Sequence, residues 1–186
     1  MKNQIRIIGI DDSPFDKFRD KKTRVIGTVF RGGDFMDGIL SIEVDVDGNN
    51  STEKLTNMII NSKFYTQIRA VFLDGIALAG FNIVDIKKLN KNTKIPVIVI
   101  MRHYPNKRKI KQTLRKINME EKIGIIEKAG KIFPHKKIYF QKTGIDENQA
   151  KNIIDISTTH SYIPEPIRVA HMIGQGIAFG ESRGGS

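Results

Sequence analysis

The chain has 186 residues, 39% hydrophobic and 27% charged, with no cysteine and a formal net charge of +11. The length suits one domain with a real core, and the lack of cysteine excludes disulfides, thiolate metal sites and cysteine nucleophiles. No run approaches the ~18–20 apolar residues of a membrane helix. Met1-Lys2-Asn3-Gln4 carries no signal region, so a cytoplasmic protein without membrane contact is expected.

In chain order, residues 5–10 read as a strand ended by Asp11-Asp12-Ser13-Pro14. A second strand covers 24–30, a turn 31–34, and a third strand lies within 37–46, where Ile39, Ile42, Val44 and Val46 are β-branched. Short polar turns between these three predict an antiparallel meander. Asn50 or Ser51 can cap a helix over 52–62 with Leu55, Met58 and Ile59 on its apolar face. A compact strand over 70–73 ends at Asp74-Gly75, a helix is expected around 82–90, and a fifth strand covers 96–100. Residues 102–116 hold the densest positive charge, with helices expected over 106–116 and 118–130. A strand over 137–141 and a helix over 146–158 follow. The last helix opens after Pro164-Glu165-Pro166 and runs past His171. A Gly/Ser/Arg-rich tail, 180–186, is expected to be loose, leaving one domain over 1–179. The order predicts an α/β fold: a mixed sheet of five strands or slightly more, its first three antiparallel, with helices on both faces.

Three acids stand at informative places: Asp11 ends the first strand, Asp74 ends the buried fourth, and Glu53 lies in the first turn of the helix between them. Residues just beyond the carboxyl ends of parallel strands line the ligand crevice of an α/β sheet. If the first and fourth strands are neighbours, Asp11 and Asp74 converge there, and converging carboxylates call for a divalent cation. Each acid also has a plain structural reading. Asp11 and Asp74-Gly75 suit turns, and Asn50-x-x-Glu53 suits a capping box. None of His103, His135, His160 and His171 shows paired metal-ligand spacing. The basic balance fits phosphate-backbone binding, and equally a lysine-rich, soluble surface.

The segment 162–171, Tyr-Ile-Pro-Glu-Pro-Ile-Arg-Val-Ala-His, resembles the Leu-Pro-Glu-Pro-Thr-Arg-x-Ala-Asp/His segment of endonuclease V. Residues 8–15 resemble its first strand, residues 70–75 its second-aspartate strand, and Thr143-Gly144 a Thr-Gly after its last strand. Glu53 stands 21 positions before Asp74, as the family's glutamate does before its aspartate. Residues 73–76 and 80–85 are closer still to an archaeal family of endonuclease V relatives, domain of unknown function ninety-nine. The resemblance implies a ribonuclease H-like fold and a magnesium or manganese site of Asp11, Glu53, Asp74 and His171. It also implies Arg102 where the nucleases carry a lysine near the scissile phosphate.

The departures bear on substrate. No counterpart of the Pro-Tyr-Ile-Pro wedge occurs in Glu43-Val-Asp-Val-Asp-Gly-Asn, and Gly80-Phe81-Asn82-Ile83 replaces a His-Pro-Arg-Arg segment, so inosine specificity does not carry over. Asp45 and Asp47 are alternatives to Glu53 as the third carboxylate. The expected function is two-metal hydrolysis of DNA or RNA, with Arg102, Lys107, Arg108, Lys109, Lys111 and Lys142 against the nucleic acid. The alternative is a nucleic-acid binder that kept the fold and lost turnover.

Overall fold

The computed structural model describes residues 4–184. Strand β1 (Arg6–Asp12) pairs antiparallel with β2 (Lys22–Arg31), which pairs antiparallel with β3 (Phe35–Asp45). On its other side β1 lies parallel to β4 (Ile68–Asp74), and β4 parallel to β7 (Val97–Met101). Strand β9 (Ile138–Thr143) runs antiparallel to β7, with β8 (Phe133–His135) at the edge. The seven-stranded order is β3-β2-β1-β4-β7-β9-β8. The meander is as the sequence predicts, and the first and fourth strands are neighbours, the condition for Asp11 and Asp74 to converge.

Side chains alternate across the sheet, and each face carries its own core. Ile8, Ile10, Val71, Leu73, Val97 and Val99 face α1 (Ser51–Ile60) and α2 (Ile86–Thr93). Ile7, Ala70, Phe72, Ile98, Ile100 and Phe140 face α5 (Glu147–Ile156) and α6 (Glu165–Phe179). A third, smaller cluster joins Ile83 to Leu114 of α3 (Lys107–Lys116) and Ile126 of α4 (Ile123–Lys128).

Four local readings change. Residues 82–83 form β6, paired with β5 (Ala77–Leu78), and α2 starts only at Ile86 because the Asp85 side chain accepts from Lys88 N. The helix expected over 118–130 is a 3-10 turn at Glu120–Lys122 followed by α4, after Asn118 takes a positive φ of 56°. Strand β8 contains Pro134, tolerable because this strand is an edge. Asn50 does not cap α1 with its side chain; its Oδ1 accepts from Asp45 N and Asn82 Nδ2. Of the tail, Ser186 and its neighbour at 185 lie outside the described residues, while Arg183 N donates to Gln175 Oε1 and Gln175 Nε2 donates to Gly184 O. Among the described residues no helix is long and apolar enough to cross a membrane.

Candidate metal centre

Parity places the acids. Asp11 follows Ile7 and Gly9 on one face of β1, and Asp74 follows Ala70 and Phe72 on the same face of β4. The two strands are adjacent and parallel, so both carboxylates reach the same sheet end. The third donor comes from α6, which crosses this face. Its N-terminus is held by the Pro-Glu-Pro-x-Arg segment: buried Glu165 accepts from Arg168 Nη2 at 2.7 Å, and Glu165 N donates to Ser157 O at 2.7 Å. Thr28 Oγ1 donates to Pro166 O, and Gly9 leaves room for the Pro166–Ile167 backbone. With Ile167, Ala170 and Gly174 buried against the sheet, His171 arrives over Asp11.

Asp11, Asp74 and His171 each offer a ligand atom within 4.8 Å of one another. His171 Nδ1 lies 2.8 Å from Asp11 Oδ2, and its Nε2 lies 3.0 Å from Gln175 Nε2, a buried amide that the tail also contacts. Arg102, past the end of β7, donates from Nη1 to both oxygens of Asp74 at 2.7 and 2.9 Å. Its Nε and Nη2 are buried without a partner among the described residues. The guanidinium thus neutralises Asp74 while leaving two of its nitrogens unsatisfied, which is costly for buried donors.

The electrostatics match a cation site. Burial pushes the Asp11 carboxyl up, and the charge of Asp74 pushes the same way against the hydrogen bond from His171. The hydrogen bond to Asp11 raises the His171 imidazole. Asp12, within the segment expected to end the first strand, is pushed up to about 6 by burial and by the charge of Asp11. It lies on the other face of β1, accepting from Ala79 N at 2.6 Å. Two oxygens and a nitrogen converging on a place where burial opposes the ionised acid form a donor set that fits Mg²⁺ or Mn²⁺.

The remaining expected residues fall elsewhere. Glu53 does not join the cluster: α1 packs on the opposite face of the sheet, and Glu53 points from its exposed side into a groove shared with Lys88 and Lys122. Asp45 and Asp47 do not replace it. They belong to a hub in which buried Lys122 donates to the carbonyls of Asp47, Gly48 and Phe81 at 2.7–2.8 Å. Asn82 Nδ2 also donates to Asp45 O there, and Phe81 N to Asp47 Oδ1. Nothing in the Glu-Glu-Lys run announces a buried lysine. Arg108 and Lys109 are exposed on α3 and Lys107 is half-buried beside them, while Lys111 is engaged by Glu127. Lys142 pairs in register with Ile98, at the far end of β7 from Arg102, and donates to Ile145 O.

A profile described as Endonuclease dU matches residues 3–178. The chain belongs to that family. A UPF0215 protein of Methanosarcina barkeri is 50% identical over 189 residues, covering 99% of this chain and 96% of the relative. A crystal structure of a protein of unknown function from Archaeoglobus fulgidus superposes with a TM-score of 0.87 at 39% identity, covering 94% of this chain and 98% of that one. The chain also shares its fold with Ciona intestinalis endonuclease V, solved with a 24mer DNA containing an inosine followed by a ribo-adenosine. That match has a TM-score of 0.56 at 14% identity and covers 90% of this chain and 82% of the other. Marinitoga piezophila Argonaute gives a TM-score of 0.56 at 14% identity over 93% of this chain and 30% of its own. The ribonuclease H-like fold and the kinship to archaeal endonuclease V relatives are therefore as the sequence resemblance implies.

Proposed function

We propose that the chain is a divalent-metal-dependent endonuclease, with Asp11, Asp74 and His171 holding a Mg²⁺ or Mn²⁺ ion and DNA containing deoxyuridine as its substrate. The observation that carries this is the convergence of those three donors at the carboxyl ends of two parallel strands in a nuclease fold. The family's description supplies the deoxyuridine. Bound there, the cation would supply Lewis-acid polarisation of the phosphodiester and an acidified water. The gathered donors make one ion site, and Glu53, expected to complete a two-ion shell, lies apart from them.

The chain's own groups divide the other work. Arg102 is adjacent to the ion site, and its fork suits a phosphate oxygen once a cation takes over Asp74. Gln175 Nε2 donates to His171 Nε2 from behind, which leaves Nδ1 as the ring nitrogen facing Asp11. On the other face, an apolar cavity lined by Ile76, Ala77, Phe81, Met101, Ile110 and Gln141 begins two residues from Asp74 and one from Arg102. Its size and lining suit an extruded pyrimidine. Lys107 of α3 lines it, and Lys107 with the neighbouring Arg108 and Lys109 would hold backbone phosphates.

The test is cleavage of end-labelled oligonucleotides carrying one deoxyuridine, one deoxyinosine or neither, with Mg²⁺, Mn²⁺ or chelator. Metal-dependent nicking near deoxyuridine that vanishes in Asp74→Asn and Asp11→Asn is expected. No cleavage of any substrate, or cleavage indifferent to both variants, would overturn the proposal. The pairing of Arg102 with Asp74 favours one other reading, a binder whose acid is permanently neutralised by its own arginine. It requires salt-sensitive DNA binding with no response to metal.

A further inference from the structure

Phe18 is 87% exposed, more than any other large hydrophobic side chain among the described residues. It sits in the segment between β1 and β2, seven residues after Asp11, a reach of at most about 25 Å from the metal centre. The root of this loop is pinned: Ser13 N donates to Arg24 O at 2.7 Å, and Thr23 Oγ1 donates to Ser13 O at 3.0 Å. Its tip is closed by its own acids. Asp16 N donates to Asp20 Oδ2 at 2.7 Å, Phe18 N to Asp16 Oδ1 at 2.9 Å, and Asp20 N to Asp16 O at 2.8 Å. These bonds define the turn without the ring, so the aromatic contributes nothing visible to the fold while being held out to solvent.

Its surroundings select the occupant. Lys17, Arg19, Lys21 and Lys22 are all exposed around it, and Lys17 Nζ lies 4.8 Å from the ring centroid. Arg19 alone among these four has a carboxylate within 4.0 Å among the described residues, and that is Asp16 of the same turn. A second copy of a chain carrying +11 would be repelled by such a patch. A polyanion with flat apolar faces would be attracted twice, by charge and by stacking.

We propose that Phe18 stacks on an unpaired base of bound DNA, with Lys17, Lys21 and Lys22 on the flanking phosphates, so that the loop fixes the strand relative to the metal centre. This rests on the nucleic-acid reading above. Stacking of this kind changes affinity by about 5- to 100-fold on alanine substitution, whichever base is present.

The sequence has no tryptophan, so Phe18→Trp installs a single reporter. In chelator, single-stranded oligothymidylate should quench its fluorescence, and an abasic strand of the same length should not. Phe18→Ala should bind labelled oligothymidylate about 5- to 100-fold more weakly by anisotropy, with the salt slope unchanged. Binding without quenching, or Phe18→Ala binding as tightly as wild type, would overturn the proposal and leave the nuclease reading standing. Absence of binding in the wild type would remove both. A dimer in ultracentrifugation that Phe18→Ala dissolves would assign the ring to a second copy and also count against it.

Discussion

Gly9→Ala isolates the step by which the fold makes the site. A Cβ at Gly9 would lie 2.5 Å from Pro166 Cβ and 2.6 Å from Ile167 N, whereas ordinary contact begins at 3.4 Å. The obstructing atoms are mostly backbone, so no rotamer relieves them and α6 must retreat by about 1 Å. His171 Nδ1 is 2.8 Å from Asp11 Oδ2, and a retreat of that size takes it beyond hydrogen-bond range. Overpacking costs about 1–3 kcal/mol, to which the loss of the Thr28–Pro166 bond adds about 1 kcal/mol. Urea denaturation in chelator should therefore show a loss of about 2–4 kcal/mol. Calorimetric titration should show Mn²⁺ binding weakened by about ten-fold or more, as when a ligand's orientation is disturbed. Gly27→Ala is the control: its Cβ meets the flexible ends of Ile8 and Met58 at 3.0–3.2 Å, on the face away from α6, and should leave Mn²⁺ binding intact. A Gly9→Ala protein as stable as wild type, with unchanged Mn²⁺ affinity, would refute the seating of α6 on β1.

Arg102→Gln should tighten Mn²⁺ binding in calorimetry by freeing Asp74, while lowering cleavage; unchanged affinity would show that the ion pair does not compete with the metal. Asp12 has a folded pKa raised from 3.8 to about 6, so its favourable contribution is present below pH 3.8 and is lost as pH rises through about 6. Metal-free wild type should lose stability across that window relative to Asp12→Asn, by at most about 3 kcal/mol, in urea melts at several pH values. Asp11 and His171 are shifted upward too, so their contributions also fade as pH rises, and saturating Mn²⁺ should offset the decline. Lys122→Met strips three half-buried carbonyls of their donor and should cost about 3 kcal/mol or more in the same melts.

Strand positions and the placement of Asp11 and Asp74 are legible because they rest on simple periodicities. Asp11 and Asp74 end apolar runs whose alternation fixes their face, whereas His171 enters only through the resemblance of its Pro-Glu-Pro-x-Arg segment to endonuclease V. Glu53 misleads because its spacing from Asp74 copies the nuclease family while the geometry does not. The buried face of α1 is Ser51, Thr52, Leu55, Thr56 and Ile59, which turns Glu53 outward on the wrong side of the sheet. The β5–β6 hairpin has two residues per strand, too few for any alternation to register. Lys122 is invisible for a different reason: its partners are main-chain carbonyls 41 to 75 residues away, which no side-chain pattern encodes.

The charge inventory of the centre explains how these acids are tolerated in a metal-free folded protein. Two carboxylates at one sheet end oppose folding unless something positive faces each of them. Here each has its own partner: Asp11 faces the His171 ring, and Asp74 faces the Arg102 guanidinium. Arg102 is not fully satisfied, since two of its buried nitrogens have no acceptor among the described residues, while His171 Nε2 accepts from the Gln175 amide whose oxygen is committed to Arg183 N. A divalent cation would take over both carboxylates at once and release the guanidinium from Asp74. On the proposed function, the arginine that neutralises Asp74 in the metal-free protein would then be free, one residue beyond β7, to meet a substrate phosphate.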